Sequence, residues 1–311
     1  MRVVVLGSPG SWYFSDLRRA AGDRHDLLCL PFQRLTAGWD GGRAVISCGG
    51  QRLEDVDAVL VRSMPAGSLE QVVFRMDILG RLERRGVAIV NPPRALEAAV
   101  DKYLASVKLL AAGIATPPTV VCQSLEDAMA GFESLGGDVV VKPLFGSEGR
   151  GIMHIDHPDL AHRAFKTLVQ LGSVVYLQRF IPHNGFDIRL LVLGERVLCV
   201  RRSNRDDWRT NIRCGGKAGP YSPDADLVDT ARQAAAVIGA PLAGVDVLLG
   251  CDGQRYVLEV NAVPGWRATA EALGIDVAAL VLNYIESAPV GGSSPAGEPQ
   301  DRTVDNLRPY D

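Results

Sequence analysis

Two apolar segments late in the chain are each interrupted by one acid. Asp246 lies within Gly244–Leu249, and Glu259 within Arg255–Asn261. A short polar stretch, Cys251–Gln254, separates them. The simplest arrangement is an antiparallel hairpin. With residues 250 and 255 opposed, 248 faces 257 and Asp246 faces Glu259. Alternation puts Asn261 on the same face as Glu259. Like charges opposed across a strand pair are destabilising. Two acids there share a proton or hold a cation. Two carboxylates and an amide oxygen are hard donors, suited to Mg²⁺ shared with phosphate oxygens. One such acid alone would read as an exposed strand residue. The trio Asp246, Glu259 and Asn261 reads as a metal site.

A second constraint is Lys142, which closes the apolar run Val139–Val141. A lysine ending a buried strand needs an anion or an exit to water. The loop Gly146-Ser147-Glu148-Gly149-Arg150-Gly151 follows. Its glycines allow backbone N–H groups to converge on an anion. A Walker A loop has its lysine after the glycines and opens a helix. Here the order is reversed, and Ile152–Ile155 reads as a strand. The expectation is a strand–loop–strand flap over the phosphates of a nucleotide. Further on, Asp187 and Arg189 share one face of a strand. Arg209, Asn211 and Arg213 project to one side if their segment is extended. Guanidinium forks suit carboxylates and phosphates, and such groups can stabilise an oxyanion.

Residues 1–90 alternate short apolar runs with helical periodicity. Val3–Leu6, Asp26–Leu30, Ala58–Val61 and Val87–Val90 read as strands, Ser15–Ala21 and Leu69–Arg84 as helices. That alternation predicts a small α/β domain with a largely parallel sheet. Asn91-Pro92-Pro93 is a break, and a helix is expected from Arg94 to about Ala112, capped at Gly113. Beyond it the expected strands are Val120–Val121, Asp138–Lys142, Val174–Ile181, Ile188–Leu193, Gly244–Leu249 and Arg255–Asn261. The expected helices are Leu125–Leu135, Asp226–Ile238 and Leu273–Ser287. Residues 288–311 are rich in Pro, Gly, Ser and charge and read as a disordered tail.

The net charge of −3 offers no attraction to nucleic acid or an anionic membrane. The run Val3–Leu6 is too short for a signal core or a membrane span. Six cysteines without a C-x-x-C pair read as core or loop residues of a cytosolic enzyme. His154, His157 and His162 fit no zinc spacing. Pro158 breaks the segment, so they are expected in an exposed loop. Trp208 and Trp266 read as packing or substrate-wall residues.

Taken in order, these motifs resemble the ATP-grasp superfamily, and within it the RimK-like α-L-glutamate ligases. The resemblance rests on Asp101-Lys102, Val141-Lys142-Pro143-Leu144 with the glycine loop, Gly185–Arg189, Arg209-Thr210-Asn211, Gly244-Val245-Asp246 and Glu259-Val260-Asn261. It implies an α/β (α+β) chain. A pre-ATP-grasp domain over 1–90 would precede an ATP-grasp domain over 91–287, with subdomains at about 114–181 and 182–287. Lys102 and Lys142 would contact ATP phosphates, under a lid that includes Gly146, Ser147, Gly149, Arg150 and Gly151. Gln178-Arg179-Phe180-Ile181 would be the adenine hinge. Asp187 would lie near the ribose, with Arg189 also on the nucleotide side. Asp246, Glu259 and Asn261 would bind Mg²⁺, with Mn²⁺ as a substitute. Arg202, Arg209 and Asn211 would serve the acyl phosphate. In the first domain, Arg62–Ser68 resembles the family's arginine-containing substrate loop.

The implied reaction is ATP-dependent joining of a carboxylate to an amine. The expected partners are a small-molecule carboxylate or a protein C-terminus, and an amino acid, glutamate first. Phrases such as Tyr176–Phe180 resemble relatives associated with tetrahydromethanopterin. A homo-oligomer is compatible with the resemblance. Two other readings stand beside this one: a peptide- or glutathione-type ATP-grasp ligase, and a silent nucleotide-binding regulator. The chain departs from the family at Arg179, where an acid is usual. It is also about one residue shorter after Arg202, which leaves the individual arginine roles open.

Overall fold

A computed structural model describes residues 1–40, 43–146 and 149–287. The expected tail, 288–311, and Ser147 lie outside the described residues.

The chain opens with β1 (Arg2–Leu6), α1 (Trp12–Ala21) and β2 (Asp26–Leu30). A three-stranded antiparallel ribbon follows: β3 (Leu35–Asp40), β4 (Arg43–Cys48) and β5 (Gln51–Arg52). The sequence reading did not foresee it. Then come β6 (Ala58–Val61), α2 (Leu69–Arg84) and β7 (Ala88–Val90). The order β2-β1-β6-β7 is fully parallel, as βα alternation demands. Both faces are covered. Leu79 and Leu82 of α2 pack with Val4 and Leu6, while Leu17 of α1 packs with Val3 and Val5.

The single helix expected over Arg94–Ala112 is two, α3 (Pro93–Val100) and α4 (Lys102–Ala111). Asp101 separates them because its carboxylate caps α4, accepting from the N–H groups of Tyr103 and Leu104. Lys102 therefore sits at a helix start.

The next layer is an antiparallel sheet with its own core. It comprises β8 (Thr119–Cys122), α5 (Leu125–Ser134), β9 (Val139–Lys142), β10 (Met153–Ile155), α6 (Pro158–Gln170) and β11 (Val175–Arg179), in strand order β10-β9-β11-β8. Phe132 and Phe165 meet edge-to-face at its centre. The expected histidine loop is partly helix. Pro158 opens α6, since proline fits a first helical position whose N–H has no partner anyway. His157 caps it, and His162 lies within it.

The largest sheet runs β14-β13-β12-β15-β16. Its strands are β12 (His183–Leu193), β13 (Arg196–Ser203), β14 (Lys217–Pro220), β15 (Leu242–Gly250) and β16 (Arg255–Asn261), with α7 (Ala225–Ile238) packed on it. The last expected helix, Leu273–Ser287, is α9 (Val277–Ser287), which starts later than expected; the sequence reading did not foresee α8 (Arg267–Leu273), which precedes it and ends at Gly274 in the left-handed region. No single described helix is long and apolar enough to cross a membrane.

Asn91 fastens the first sheet to the largest one. It is 1% exposed. Its amide donates to the carbonyls of Leu242 (2.7 Å) and Ala262, and accepts from Leu242 N–H (2.9 Å). Buried backbone groups left unpaired cost about 1–3 kcal/mol each. Asn91→Ala is expected to lower unfolding stability by about 3 kcal/mol, read by urea denaturation. Asn91→Asp should also destabilise, because it loses both donors.

Candidate active site

Four strands of the largest sheet carry charge on one face. Register places Arg202 of β13 opposite Asp187 of β12, Arg189 of β12 opposite Asp246 of β15, and Asp246 opposite Glu259 of β16. The signs alternate until the last pair, where two acids meet. Arg202 grips Asp187 with both edges of its fork, one bond at 2.8 Å, and reaches Asp246 Oδ2 at 2.9 Å. All three are at least 95% buried. Burial alone would lower the Arg202 pKa, but Asp246 and Asp187 outweigh it and raise it. Arg189 Nε lies 2.6 Å from Asp246 Oδ1, and its Nη2 donates to Oδ2 at 3.2 Å.

The expected Asp246–Glu259 pairing is present, but by a different route. Leu249 faces Arg255, Leu248 faces Tyr256 and Val247 faces Val257. Leu258 is an extra residue, a β-bulge that restores Glu259 to its place opposite Asp246.

Above this face stand two lysines, Lys142 at the end of β9 and Lys102 at the start of α4. Lys142 Nζ donates to Gln178 Oε1 at 2.5 Å. Gln178 is held by donating to Thr119 Oγ1 at 3.2 Å. Lys102 Nζ donates to the carbonyl of Gly146 at 2.8 Å and so anchors the glycine loop. Burial lowers both lysine pKa values, and nearby Glu259 opposes that in each case. Lys142 falls to about 8, with Lys102 pushing it down further and Asp246 opposing.

Between these groups lies a cleft of about 770 Å³, counting space open to solvent. It brings together Lys102, Lys142, Gly149, Gln178, Arg179, Phe180, Ile181, Asp187, Arg202, Arg209, Asn211, Asp246 and Glu259. Gly146, Arg150, Gly151, Arg189 and Asn261 are not among its lining residues. Arg189 instead lies beside Asp246. The Asn261 amide oxygen accepts from Val263 N–H at 2.8 Å.

The segment expected to hold adenine, Gln178–Ile181, has a backbone that is largely engaged. Arg179 N–H donates to Pro118 O, and Phe180 N–H to Asp138 O. Ile181 N–H has no backbone partner among the described residues, so it is the available donor. The Arg179 side chain turns outward to Leu135 O.

The segment after Arg202 is not extended, as the sequence reading supposed. Residues Ile212–Cys214 form a 3-10 turn. Asn204 folds this loop, donating to the carbonyls of Arg209 and Cys214 at 2.8 and 2.9 Å. Asp207 holds Arg209, with the shortest contact at 2.6 Å. Asn211 approaches the flap: a Cβ on Gly149 would lie 3.0 Å from its Oδ1. Gly149 has φ +72°, so glycine is required there twice over.

Sequence reasoning missed Asn204, which carries no periodic signal. It also missed His183, Leu248 and Leu258 in the lining. Trp208 joins an aromatic group at the cleft edge, where His154 stacks on Phe180 at 4.1 Å. Trp266 is fully buried elsewhere.

The donor set fits a divalent cation. Asp246 Oδ1 is buried with no aligned hydrogen bond, its neighbour being the Arg189 guanidinium, and Glu259 forms none of the ion pairs found among the described residues. No group of three or more His, Cys, Asp or Glu side chains suited to a metal occurs there. A cation held by this acid pair would take its further ligands from phosphate oxygens or other neutral oxygen donors.

The chain matches the RimK-like ATP-grasp domain family over residues 99–285. It is a RimK-like ATP-grasp protein. It is 32% identical over 264 residues to the tetrahydromethanopterin:α-L-glutamate ligase of Methanosarcina acetivorans, covering 76% of this chain and 81% of that one. It is 30% identical over 297 residues to a probable α-L-glutamate ligase of Picosynechococcus, covering 92% and 95%. Among solved structures it resembles the ATP-grasp ligase PsnB complexed with a minimal precursor. The TM-score is 0.73 at 22% identity, covering 92% of this chain and 98% of that one. A PsnB structure with Mg and ADP gives a TM-score of 0.70 at 22% identity, covering 92% and 97%.

Glu259→Gln keeps the shape and removes one of the paired charges. Metal-dependent turnover of this RimK-like protein is expected to fall at least about 100-fold with the melting temperature little changed. Lys142 supplies a pH test. Below about 8 its Nζ is a cation; above, it is neutral. Nucleotide affinity measured by calorimetry should therefore weaken as pH rises from about 7 to 9. Lys142→Arg, which keeps its charge, should remove that dependence.

Proposed function

We propose that this protein is an ATP- and Mg²⁺-dependent carboxylate–amine ligase that adds L-glutamate to a carboxylate. The observation that carries it is the opposition of Lys102 and Lys142 to the Asp246–Glu259 pair across one cleft. Cations there suit phosphate oxygens, and the acids suit Mg²⁺. The family and the glutamate-ligase relatives supply the reaction class.

In the first step a substrate carboxylate oxygen attacks the γ-phosphorus of ATP, and ADP leaves. In the second an amine attacks the acyl carbon, phosphate leaves, and the nitrogen releases a proton. The protein's task is positioning and charge stabilisation. Asp246 and Glu259, with Asn261 as a third, would hold Mg²⁺, or Mn²⁺ in its place, and that cation would supply charge neutralisation to the phosphates. Lys142, fixed by Gln178, and Lys102 meet the phosphates under the glycine flap. Ile181 N–H meets the adenine. Arg202, rigidly braced by Asp187, faces the acyl phosphate from the floor. Arg209 and Asn211 approach from the loop above.

The acceptor we favour is a pterin-type cofactor, in line with the first relative; a protein C-terminus is the other carboxylate of suitable form. A cytoplasmic setting, where ATP and Mg²⁺ are at hand, is part of this proposal. The test is incubation with ATP, Mg²⁺, L-glutamate and candidate acceptors, following ADP and product mass. Glutamate-dependent ADP release with a product heavier by one glutamyl residue is expected. Tight ATP binding without turnover on any carboxylate–amine pair would favour a regulatory protein instead.

A further inference from the structure

Helix α4 is turned inside out. Its exposed residues are Tyr103, Leu104, Val107, Leu110 and Ala111, without a charge among them. Its polar residues Lys102, Ser106 and Lys108 are half-buried and turn to the body of the protein. Lys102 Nζ donates to Gly146 O at 2.8 Å, Ser106 Oγ lies 2.9 Å from Tyr176 Oη, and Lys108 Nζ donates to Val237 O at 3.5 Å. Ala105 and Leu109 are buried on the side that packs against α3, α7 and β16. A surface helix shows the reverse pattern, and a helix apolar on every side belongs in an interior.

The exposed residues fall on one stripe along the helix, with Tyr103, Val107 and Leu110 at its middle. Tyr103 is 52% exposed and Leu110 68%, and Val100, just before the helix, is 47% exposed. Together these side chains offer on the order of 500 Å², near the top of what a lone chain carries. Doubled across a twofold axis, that is roughly 1,000 Å², the size at which a specific interface begins. The face is a convex helix, whereas small molecules take concave sites, and none of the stripe lines the active-site cleft. A helix that lies on a membrane sets its basic residues out to meet headgroups; Lys102 and Lys108 are held here by protein carbonyls. Nor is the face near the end of the described chain. Ser287 ends α9, which packs with Leu191 and Leu193 of β12, whereas α7 and α4 cluster with Ile188, Leu190 and Val192 on the opposite face of that strand.

We propose that the outer face of α4 pairs with the same face of a second copy of this chain, forming a twofold dimer. An uncharged apolar stripe is complementary to itself. Laid antiparallel about an axis midway along it, Leu104 of each copy meets Val107 of the other. Lys102 opens α4, so the pairing also braces the helix that presents a lysine to the cleft. The inference goes beyond the ligase reading and does not depend on it.

The test is the mass of the full chain in solution, by sedimentation from about 0.1 to 100 µM. Wild type should reach twice the mass of one chain. Val107→Asp combined with Leu110→Asp buries like charges in the contact and should raise the dimer dissociation constant at least about 100-fold, with the circular dichroism of the fold unchanged. Leu171→Asp, at a position 74% exposed beyond the end of α6, should leave the dimer intact. If the double variant does not fold, hydrogen exchange on wild type gives the reading: α4 amides should exchange more slowly above the dissociation concentration than below it. A wild type that is monomeric throughout, a folded double variant that stays dimeric, or α4 amides indifferent to concentration overturns the proposal. Vesicle binding by such a monomer would give the face to a membrane, and faster exchange of α4 on removal of residues 288–311 would give it to that segment. Turnover is not among the readouts, so failure here leaves the ligase reading untouched.

Discussion

The contact on which the site depends is the Asp187–Arg202–Asp246 bridge, joined at Asp246 by Arg189. Asp246 would be a costly buried charge without these two guanidinium groups. With them it is held in one orientation on a rigid sheet. Glu259, one strand further, has no such brace. The pair is therefore asymmetric: one carboxylate is locked in the sheet, and the other is governed at longer range by Lys102 and Lys142. A cation between them would meet one fixed and one adaptable ligand.

The same sheet also organises the rest of the chain. Asn91 ties the start of β15 and the exit of β16 to the amino-terminal sheet, and Arg62 contacts the exit loop again at Pro264. Hydrophobic clusters run across this boundary, mixing Val4 and Leu6 with Ile188 and Val245. The β8–β11 layer keeps a separate core and meets the larger sheet around the cleft. Its attachment is local: Lys102 to the glycine loop, Ser106 to Tyr176, and the hinge at Phe180–Ile181. The layer that carries Lys142 is thus less entangled with the molecule than the sheet that carries Asp246 and Glu259.

Much of this was legible in the sequence where a residue broke a pattern. Asp246, Glu259 and Lys142 are polar residues in apolar strands, and each lines the cleft. Strands with continuous apolar runs, such as Ala58–Val61, could be placed to the residue. What stayed hidden was set by local contacts that periodicity does not carry. Asp101 caps α4 and so divides a helix that reads as continuous. Pro158 looks like a breaker but starts α6. Asn204 folds the loop over 204–216 through two backbone carbonyls, and turned Asn211 to the flap by a tight turn instead of a strand. Alternation revealed that Arg189 shares a face with Asp187; it could not reveal that Arg189 is drawn to Asp246.

The bulge at Leu258 has a consequence for how this site tolerates change. In a regular strand, neighbours point to opposite sides. Here Leu258 and Glu259 both line the cleft, so one short stretch supplies a greasy wall and a charged ligand in succession. The extra residue also acts as a phase reset. Pairing on the turn side of it and pairing on the site side run on separate counts. Without the bulge, regular pairing past Val257 would set Leu258 opposite Asp246 and Glu259 opposite Val245, on the other face of the sheet.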